Sequence, residues 1–288
     1  MTTPQSLLFV FGLGYSALQL AERLKPAGWQ VAGTVRTPSK AAALQVQGIA
    51  AQVWAGEEPV DVPDGAHWLI TLPPDAKGCP AARAAGDKAG MAASINYLST
   101  TGVYGDLSGG WAFEWSPVKP GSARAQARVT AETQWLSASD DRARIVRLPG
   151  IYGPGRSPFD RLRDGTAQRV IQPGQVFSRV HVDDIAGGLA ALLARPEAGG
   201  VFHLCDDLPA PPQDVIAHAA TLLGLPVPPD VAIEAAGLSD MALSFYAECK
   251  RVANGRAKAA LGWKPRYPSY QEGLAAILDA ESRSLSGT

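Results

Sequence analysis

The sequence predicts an α/β protein, with a doubly wound parallel sheet followed by a small C-terminal lobe. Three observations lead there. Short apolar runs alternate with stretches of helical period through the first half of the chain. The first run passes straight into a glycine-containing turn, and glycine and proline crowd together beyond residue 148, where the alternation stops. Strands that are apolar throughout are covered on both faces, and helical crossovers between them make their pairing parallel.

Taken in order, Ser6–Phe11 reads as the first buried strand and Ser16–Leu24 as its crossover helix. In that helix Ala17, Leu20, Ala21 and Leu24 fall on one small, apolar face that suits packing on a sheet. Gln30–Val35, Gly48–Trp54, Trp68–Leu72 and Ile95–Thr100 repeat the strand pattern, Ala123–Trp135 is helical, and Arg144–Leu148 makes a sixth strand. The Gly/Pro-rich segment Pro149–Pro158 changes the character of the chain. A helix returns at Asp183–Leu193, a strand at Val201–Cys205 and a proline-rich turn at Pro209–Pro212. The predicted division is a sheet domain over residues 1–150 and a smaller lobe over 151–288. The last elements of the first domain, about 179–206, are interleaved with that lobe.

Composition excludes several classes. With 288 residues, 46% hydrophobic and 18% charged, the chain can bury a core and is not of disordered type. No apolar run approaches the ~20 residues that span a bilayer. Lys and Arg total 26 against 27 Asp and Glu, so no overall basic charge draws the protein to nucleic acid or an anionic membrane. Cys79, Cys205 and Cys249 are odd in number and far apart, which fits a reducing cytoplasm better than a disulfide framework or a zinc site. The segment Met1–Ser6 is not basic and Leu7–Phe11 is too short for a secretory signal, so a cytoplasmic protein is expected.

The first strand enters Gly12-Leu13-Gly14-Tyr15-Ser16-Ala17, a GxGxxA turn between a strand and a helix. Gly12 permits the tight bend, Gly14 removes a side chain where a pyrophosphate would approach, and Ala17 allows close helix–strand packing. The helix start then offers free N–H groups to phosphate, at Tyr15 and Ser16 in particular. Between a strand and an amphipathic helix the pattern reads as the turn of a Rossmann-like dinucleotide site, with a plain structural turn as the competing reading, and it makes residues 1–150 the expected NAD(P)-binding domain. The second strand ends at Thr34-Val35-Arg36-Thr37-Pro38-Ser39-Lys40, and no Asp or Glu occurs from Arg23 to Gly56 to receive a ribose 2′-hydroxyl. Arg36, with Ser39 or Lys40, could instead hold a 2′-phosphate. NADP is therefore the expected cofactor, NAD the alternative, and a merely solvated Arg36 the competing reading.

Four further segments carry a family resemblance. Tyr97-Leu98-Ser99-Thr100-Thr101-Gly102-Val103-Tyr104-Gly105 resembles the strand-five active-site segment of the extended short-chain dehydrogenases/reductases, the epimerase/dehydratase group. Arg147-Leu148-Pro149-Gly150-Ile151-Tyr152-Gly153-Pro154-Gly155 is similar to their strand-six segment beside the nicotinamide, which brings in Pro149. Val180-His181-Val182-Asp183-Asp184-Ile185-Ala186 is similar to the start of a shared helix, and Leu261-Gly262-Trp263-Lys264-Pro265 with Glu272-Gly273-Leu274 resembles their C-terminal signature. The likeness runs in order over almost the whole chain. It implies an oxidoreductase or a nucleotide-sugar epimerase-like enzyme with Thr100 at the catalytic Ser/Thr position.

The resemblance breaks at the family's Tyr-x-x-x-Lys pair, the acid/base and the lysine that tunes it. Arg124 stands at the tyrosine position and Arg128 at the lysine position, and no Tyr lies between Tyr104 and Tyr152. A guanidinium keeps its proton at neutral pH, so Arg124 cannot replace a phenol as an acid, although Arg128 could still bond a ribose or phosphate. Tyr104 is the nearest substitute proton donor and Tyr152 another, each with an alternative reading as part of a loop signature.

Other residues divide the same way. Arg156, Arg161, Arg163 and Arg169 could line a pocket for a phosphate or carboxylate substrate or could face solvent, and Lys250-Arg251 pose the same choice. His181-Val182-Asp183-Asp184 has no further ligands at metal spacing, so Asp183 or Asp184 is expected to cap a helix and no metal is expected. His67, His203 and His218 read as structural. The expected partner is a small molecule, an anionic one if the arginines line its pocket, and the expected state a monomer or homodimer. The rival reading is a catalytically silent dinucleotide-binding sensor or scaffold; a degenerate cofactor site is disfavoured by Gly12, Gly14 and Ala17.

Overall fold

In the computed structural model, which describes residues 6–56 and 58–286, side-chain alternation along the first strand divides the core in two. On β1 (Leu7–Phe11), Leu8 and Val10 enter one apolar cluster and Phe9 and Phe11 the other. β1 leads into α1 (Tyr15–Leu24), whose Ala17, Leu20, Ala21 and Leu24 are buried in the Leu8/Val10 cluster. β2 (Gln30–Val35), α2 (Pro38–Val46) and β3 (Ala50–Val53) follow, and Thr37 caps α2 by accepting from the Lys40 amide. Next come β4 (His67–Ile70), α3 (Pro80–Ala85), β5 (Ser94–Thr100), the two-residue β6 (Trp111–Ala112), α4 (Ala123–Ala138) and β7 (Arg144–Leu148). Then the chain makes β8 (Gly150–Tyr152), α5 (Phe159–Arg163), β9 (Arg169–Ile171), β10 (Arg179–His181), α6 (Val182–Leu193) and β11 (Gly200–His203). It ends with α7 (Pro212–Leu222), β12 (Asp230–Ala232), α8 (Asp240–Tyr246), β13 (Arg251–Val252), α9 (Gly255–Leu261) and α10 (Tyr270–Ser286).

The main sheet has seven parallel strands in the order β11-β7-β5-β4-β1-β2-β3. This is a Rossmann-like doubly wound sheet, and its strand order reverses between β1 and β4, where a crevice opens at the carboxyl ends. α1, α2 and α6 cover one face; α3 and α4 cover the other. The second face is aromatic, with Phe11 edge-on to Phe9, Trp54 and Trp68, and Trp68 edge-on to Trp135 of α4. Beyond β7, short parallel pairs (β8 with β10, β9 with β12, β6 with β13) tie in a separate apolar cluster that includes Tyr152, Phe159, Ile216 and Ile277. Among the described residues no helix is long and apolar enough to cross a membrane. The segment read above for a leader lies, apart from Ser6, outside the described residues.

One expected cap is corrected. α6 begins at Val182, so Asp183 and Asp184 lie inside its first turn, and the residue with extended backbone before it is His181. The His181 Nδ1 accepts from the Asp183 amide at 3.1 Å. Asp184 instead accepts from the amides of Arg266 and Tyr267, clasping the C-terminal signature. Burial pushes its carboxyl up to about 6, against those two hydrogen bonds.

Beneath the sheet edge lies a buried ion pair. Arg147 on β7 grips Glu132 of α4 with both Nε (3.0 Å) and Nη2 (2.6 Å), and each side chain is only 6% exposed. Ser99 of β5 donates to the same carboxylate, and Arg147 donates to the Tyr104 hydroxyl at 2.8 Å. Removing one partner leaves the other charge buried and alone. Glu132→Ala or Arg147→Ala should therefore cost about 3–5 kcal/mol in urea unfolding. A loss under 1 kcal/mol for both would show that the pair does not fix α4.

Candidate active site

The glycine turn shows two different reasons for glycine. Gly12 has φ +94°, and an added Cβ would lie 3.1 Å from Thr71 Oγ1 and 3.3 Å from Leu72. Its amide donates to Thr34 Oγ1 at 2.9 Å and its carbonyl accepts from the Thr71 hydroxyl. The protein itself therefore requires Gly12. Gly14 has ordinary extended dihedrals (φ −105°, ψ −166°), and a Cβ there would meet nothing closer than 3.8 Å. Nothing in the fold demands that glycine. The space is open toward the start of α1, which has no side-chain cap, so its first amides are left for an external acceptor. A diphosphate fits this cradle by charge and by shape.

From the turn a cleft of about 660 Å³ runs across the carboxyl ends of the strands. On the β2 side it is lined by Arg36, Lys40 and Trp54, and no Asp or Glu is among its described lining residues. On the β5 side it is lined by Thr100, Arg128 and Pro149. Tyr15 closes the middle, donating to the Pro154 carbonyl at 2.9 Å, while the Arg156 guanidinium sits 4.4 Å over its ring. Burial raises the Tyr15 phenol, opposed by that guanidinium.

A second cavity of about 680 Å³ adjoins the first and shares Thr100, Arg128, Pro149, Ile151 and Arg156 with it. The Thr100 Oγ1 accepts from the Gly102 amide at 3.1 Å, which leaves its proton free to be donated into the junction. Arg128 is held by one nitrogen, which donates to the Leu98 carbonyl at 2.8 Å and the Tyr97 hydroxyl at 3.1 Å. Its other N–H groups have no partner among the described residues and are free to serve a ligand. Arg124, one turn earlier on α4, stacks on the Phe245 ring at 4.9 Å. The far wall is Phe177, Arg179, Tyr246, Glu248 and Lys250, with Lys250 paired to Glu248 at 2.5 Å. Four arginines and a lysine thus face one carboxylate.

Tyr104 does not join this junction. It is fully buried, its ring lies under the Arg147 guanidinium at 4.9 Å, and its hydroxyl is held by Arg147 and by the His203 Nε2 at 2.6 Å. Burial pushes the phenol up to about 12 despite Arg147. The proton-donor reading of Tyr104 is replaced by a structural one, because Arg147 and His203, distant in sequence, claim the hydroxyl. Tyr152 likewise turns away, donating to the Ser269 carbonyl. Of the four loop arginines only Arg156 reaches the cleft; Arg163 pairs with Glu281 and Arg169 with Asp230. Tyr246, Glu248 and Arg179 went unremarked in the sequence, since no local pattern marks them.

No family model matches the chain. A conserved protein of unknown function from Silicibacter pomeroyi DSS is 48% identical to it, with a TM-score of 0.90 over 96% of this chain and 99% of that one. Protein YeeZ of Escherichia coli (strain K12) is 30% identical over 245 residues, 76% of this chain and 84% of that protein. A 3-diazoavenalumate denitrifying reductase of a Streptomyces species is 38% identical over 170 residues, 54% of this chain; the chain spans about half, 53%, of that reductase. At 16–18% identity the fold is shared with MoeE5 in complex with UDP-glucose and NAD (TM-score 0.75, 97% and 99% covered) and with human epimerase family protein SDR39U1 with NADPH (0.72, 96% and 99%). The fold is that of the NAD(P)-dependent epimerase, dehydratase and reductase superfamily. The chain belongs to the extended short-chain dehydrogenases/reductases of the NAD-dependent epimerase/dehydratase type.

Below the second cavity, Asp206 is 2% exposed and neither carboxylate oxygen has a hydrogen-bond partner in the described residues. Burial pushes its carboxyl up to about 8, although the Arg179 guanidinium pulls it down. Folding therefore raises this pKa above the ordinary carboxylate value, and the folded state holds a proton that the unfolded chain has lost. His181 and His203, both pushed down to about 4 by burial, act in the opposite sense but only below their ordinary value near 6.5. Above pH 6.5, where the two histidines no longer oppose it, the proton held on Asp206 should make stability fall with rising pH up to about pH 8, by up to ~1.4 kcal/mol per unit. Urea titrations of Asp206→Asn across this window should be flat; an unchanged slope would refute the assignment.

Proposed function

We propose that the protein is an NAD(P)-dependent oxidoreductase of an atypical branch of its family, acting on a small molecule in the second cavity. The observation that carries this reading is the meeting of the two cavities at Thr100, Arg128, Pro149, Ile151 and Arg156. Fold neighbours that hold NAD or NADPH support a nicotinamide dinucleotide in the first cleft. Residues 1–150 then form the cofactor domain and 151–288 the substrate lobe.

In this assignment Gly12, Gly14, Tyr15, Ser16 and Ala17 form the diphosphate cradle, with Arg156 over Tyr15 adding positive charge. Arg36 with Lys40 takes a 2′-phosphate, which makes NADP the preferred form, because no carboxylate among the described lining residues would receive a 2′-hydroxyl. Arg128 bonds the ribose nearest the junction and Pro149 lies beside the ring. When bound, the nicotinamide supplies or accepts the hydride. Thr100 donates its hydroxyl proton as a hydrogen bond to the oxygen on the reacting carbon.

Epimerase chemistry of the usual kind is disfavoured, because a guanidinium is a poor proton shuttle and cannot replace a phenol at the position of Arg124. A reductase that draws its proton from water is compatible with the site. Arg124 and Arg128 favour the second reading, a dinucleotide-binding sensor without turnover. The three free thiols suit a reducing cytoplasm.

NADPH should bind about tenfold or more tightly than NADH, and Arg36→Ala should lose most of that difference. Gly14→Val should abolish binding of both nucleotides while leaving the melting temperature unchanged, whereas Gly12→Ala should lower it. Fluorescence titration and thermal unfolding measure all three. Wild-type protein that ignores both nucleotides at millimolar concentration would end the proposal.

A further inference from the structure

We infer that the substrate is a planar organic carboxylate whose acid group is gripped by Arg124, the residue that replaces the family's tyrosine. The inference rests on the second cavity being the substrate site and goes further by naming the class of molecule it takes. Among the described residues, Arg124 and Arg156 are the cations of that cavity whose side chains have no hydrogen bond or ion pair to the protein, and Arg124 is the one on the side away from the cofactor cleft. Lys250 is held by Glu248, Arg179 by the Phe177 and Ala210 carbonyls, and Arg128 by Leu98 and Tyr97. Arg156 is stacked on Tyr15 at the cofactor side.

The Arg124 guanidinium sits 4.9 Å over the Phe245 ring, and its N–H donors have no protein acceptor among the described residues, so they are available for a bidentate acceptor. It projects from the first turn of α4, where the helix end adds partial positive charge. Arg128 follows four residues later on the same helix face, at the junction with Thr100. Arg124 and Thr100 line one cavity, so an anion on Arg124 and a carbon facing Thr100 can belong to one molecule. Apolar atoms make up most of the remaining lining, through Ile151, Val176, Phe177, Phe245, Tyr246 and Val252, and outweigh the hydroxyls of Thr101, Ser122, Ser178 and Ser244, which suits a flat, conjugated body better than a sugar ring dense in hydroxyls.

Isothermal titration of the NADP⁺-saturated protein tests the inference with trans-cinnamate, the isosteric neutral trans-cinnamamide, and UDP-glucose, all at one ionic strength. Cinnamate should bind and cinnamamide should bind at least about tenfold more weakly. Arg124→Gln should weaken cinnamate by about 10- to 100-fold, Arg124→Lys by less, and neither should alter NADP⁺ affinity. The inference is overturned if cinnamate does not bind at millimolar concentration, if cinnamamide binds as well, if Arg124→Gln changes nothing, or if UDP-glucose binds more tightly than cinnamate. NADP⁺ affinity is measured first. If it is absent the proposed function falls, and the same titrations on the protein alone still decide whether Arg124 selects a carboxylate.

Discussion

The geometry of the candidate site depends on how α4 is fastened to the sheet, and the fastening is the buried pair of Glu132 with Arg147. Arg124, Arg128 and Glu132 are spaced by four, so they form one stripe of the helix. The stripe is graded. Glu132 is buried against β5 and β7, Arg128 is half-buried and tied to the Leu98 carbonyl, and Arg124 is exposed in the second cavity. With the lower end of the stripe locked by two parallel hydrogen bonds, the upper end has little freedom in where it aims its charges. The same network draws in Ser99, Tyr104 and His203, so strand, loop and sheet edge share one set of constraints.

Most of the sheet was legible in the sequence because its strands are local, apolar and separated by crossovers. All seven strands fall within a few residues of the expected runs, and the reversal of strand order places the glycine turn where a diphosphate site was expected. The second cavity was not legible. Its far wall arrives through β13, a two-residue strand that pairs with the two-residue β6 across more than a hundred positions. Such short pairings have no period to read, so Tyr246 and Glu248 gave no sign of sharing a cavity with Thr100, and for Lys250 the pocket and solvent readings both stayed open. The Tyr104 hydroxyl and the α6 cap were misread for a related reason. Both are decided by partners and backbone angles at a helix or sheet end, which residue type alone does not report.

The two glycines of the turn separate folding from binding. Gly12 answers to Thr34, Thr71 and Leu72, all within the protein, while the space left by Gly14 answers to none of them. Sequence patterns treat both as one motif. The structure distinguishes a residue the fold requires from one that only an external group explains.

None of the residues of α8 is buried, yet Ala242, Ser244, Phe245 and Tyr246 form part of the cavity wall. A wall made from a surface helix can change its amino acids without disturbing the packed interior that carries it. Divergence in chemical preference among relatives can thus accumulate on that one short segment while the parallel scaffold stays the same, and comparing it between relatives would sort them by what they accept.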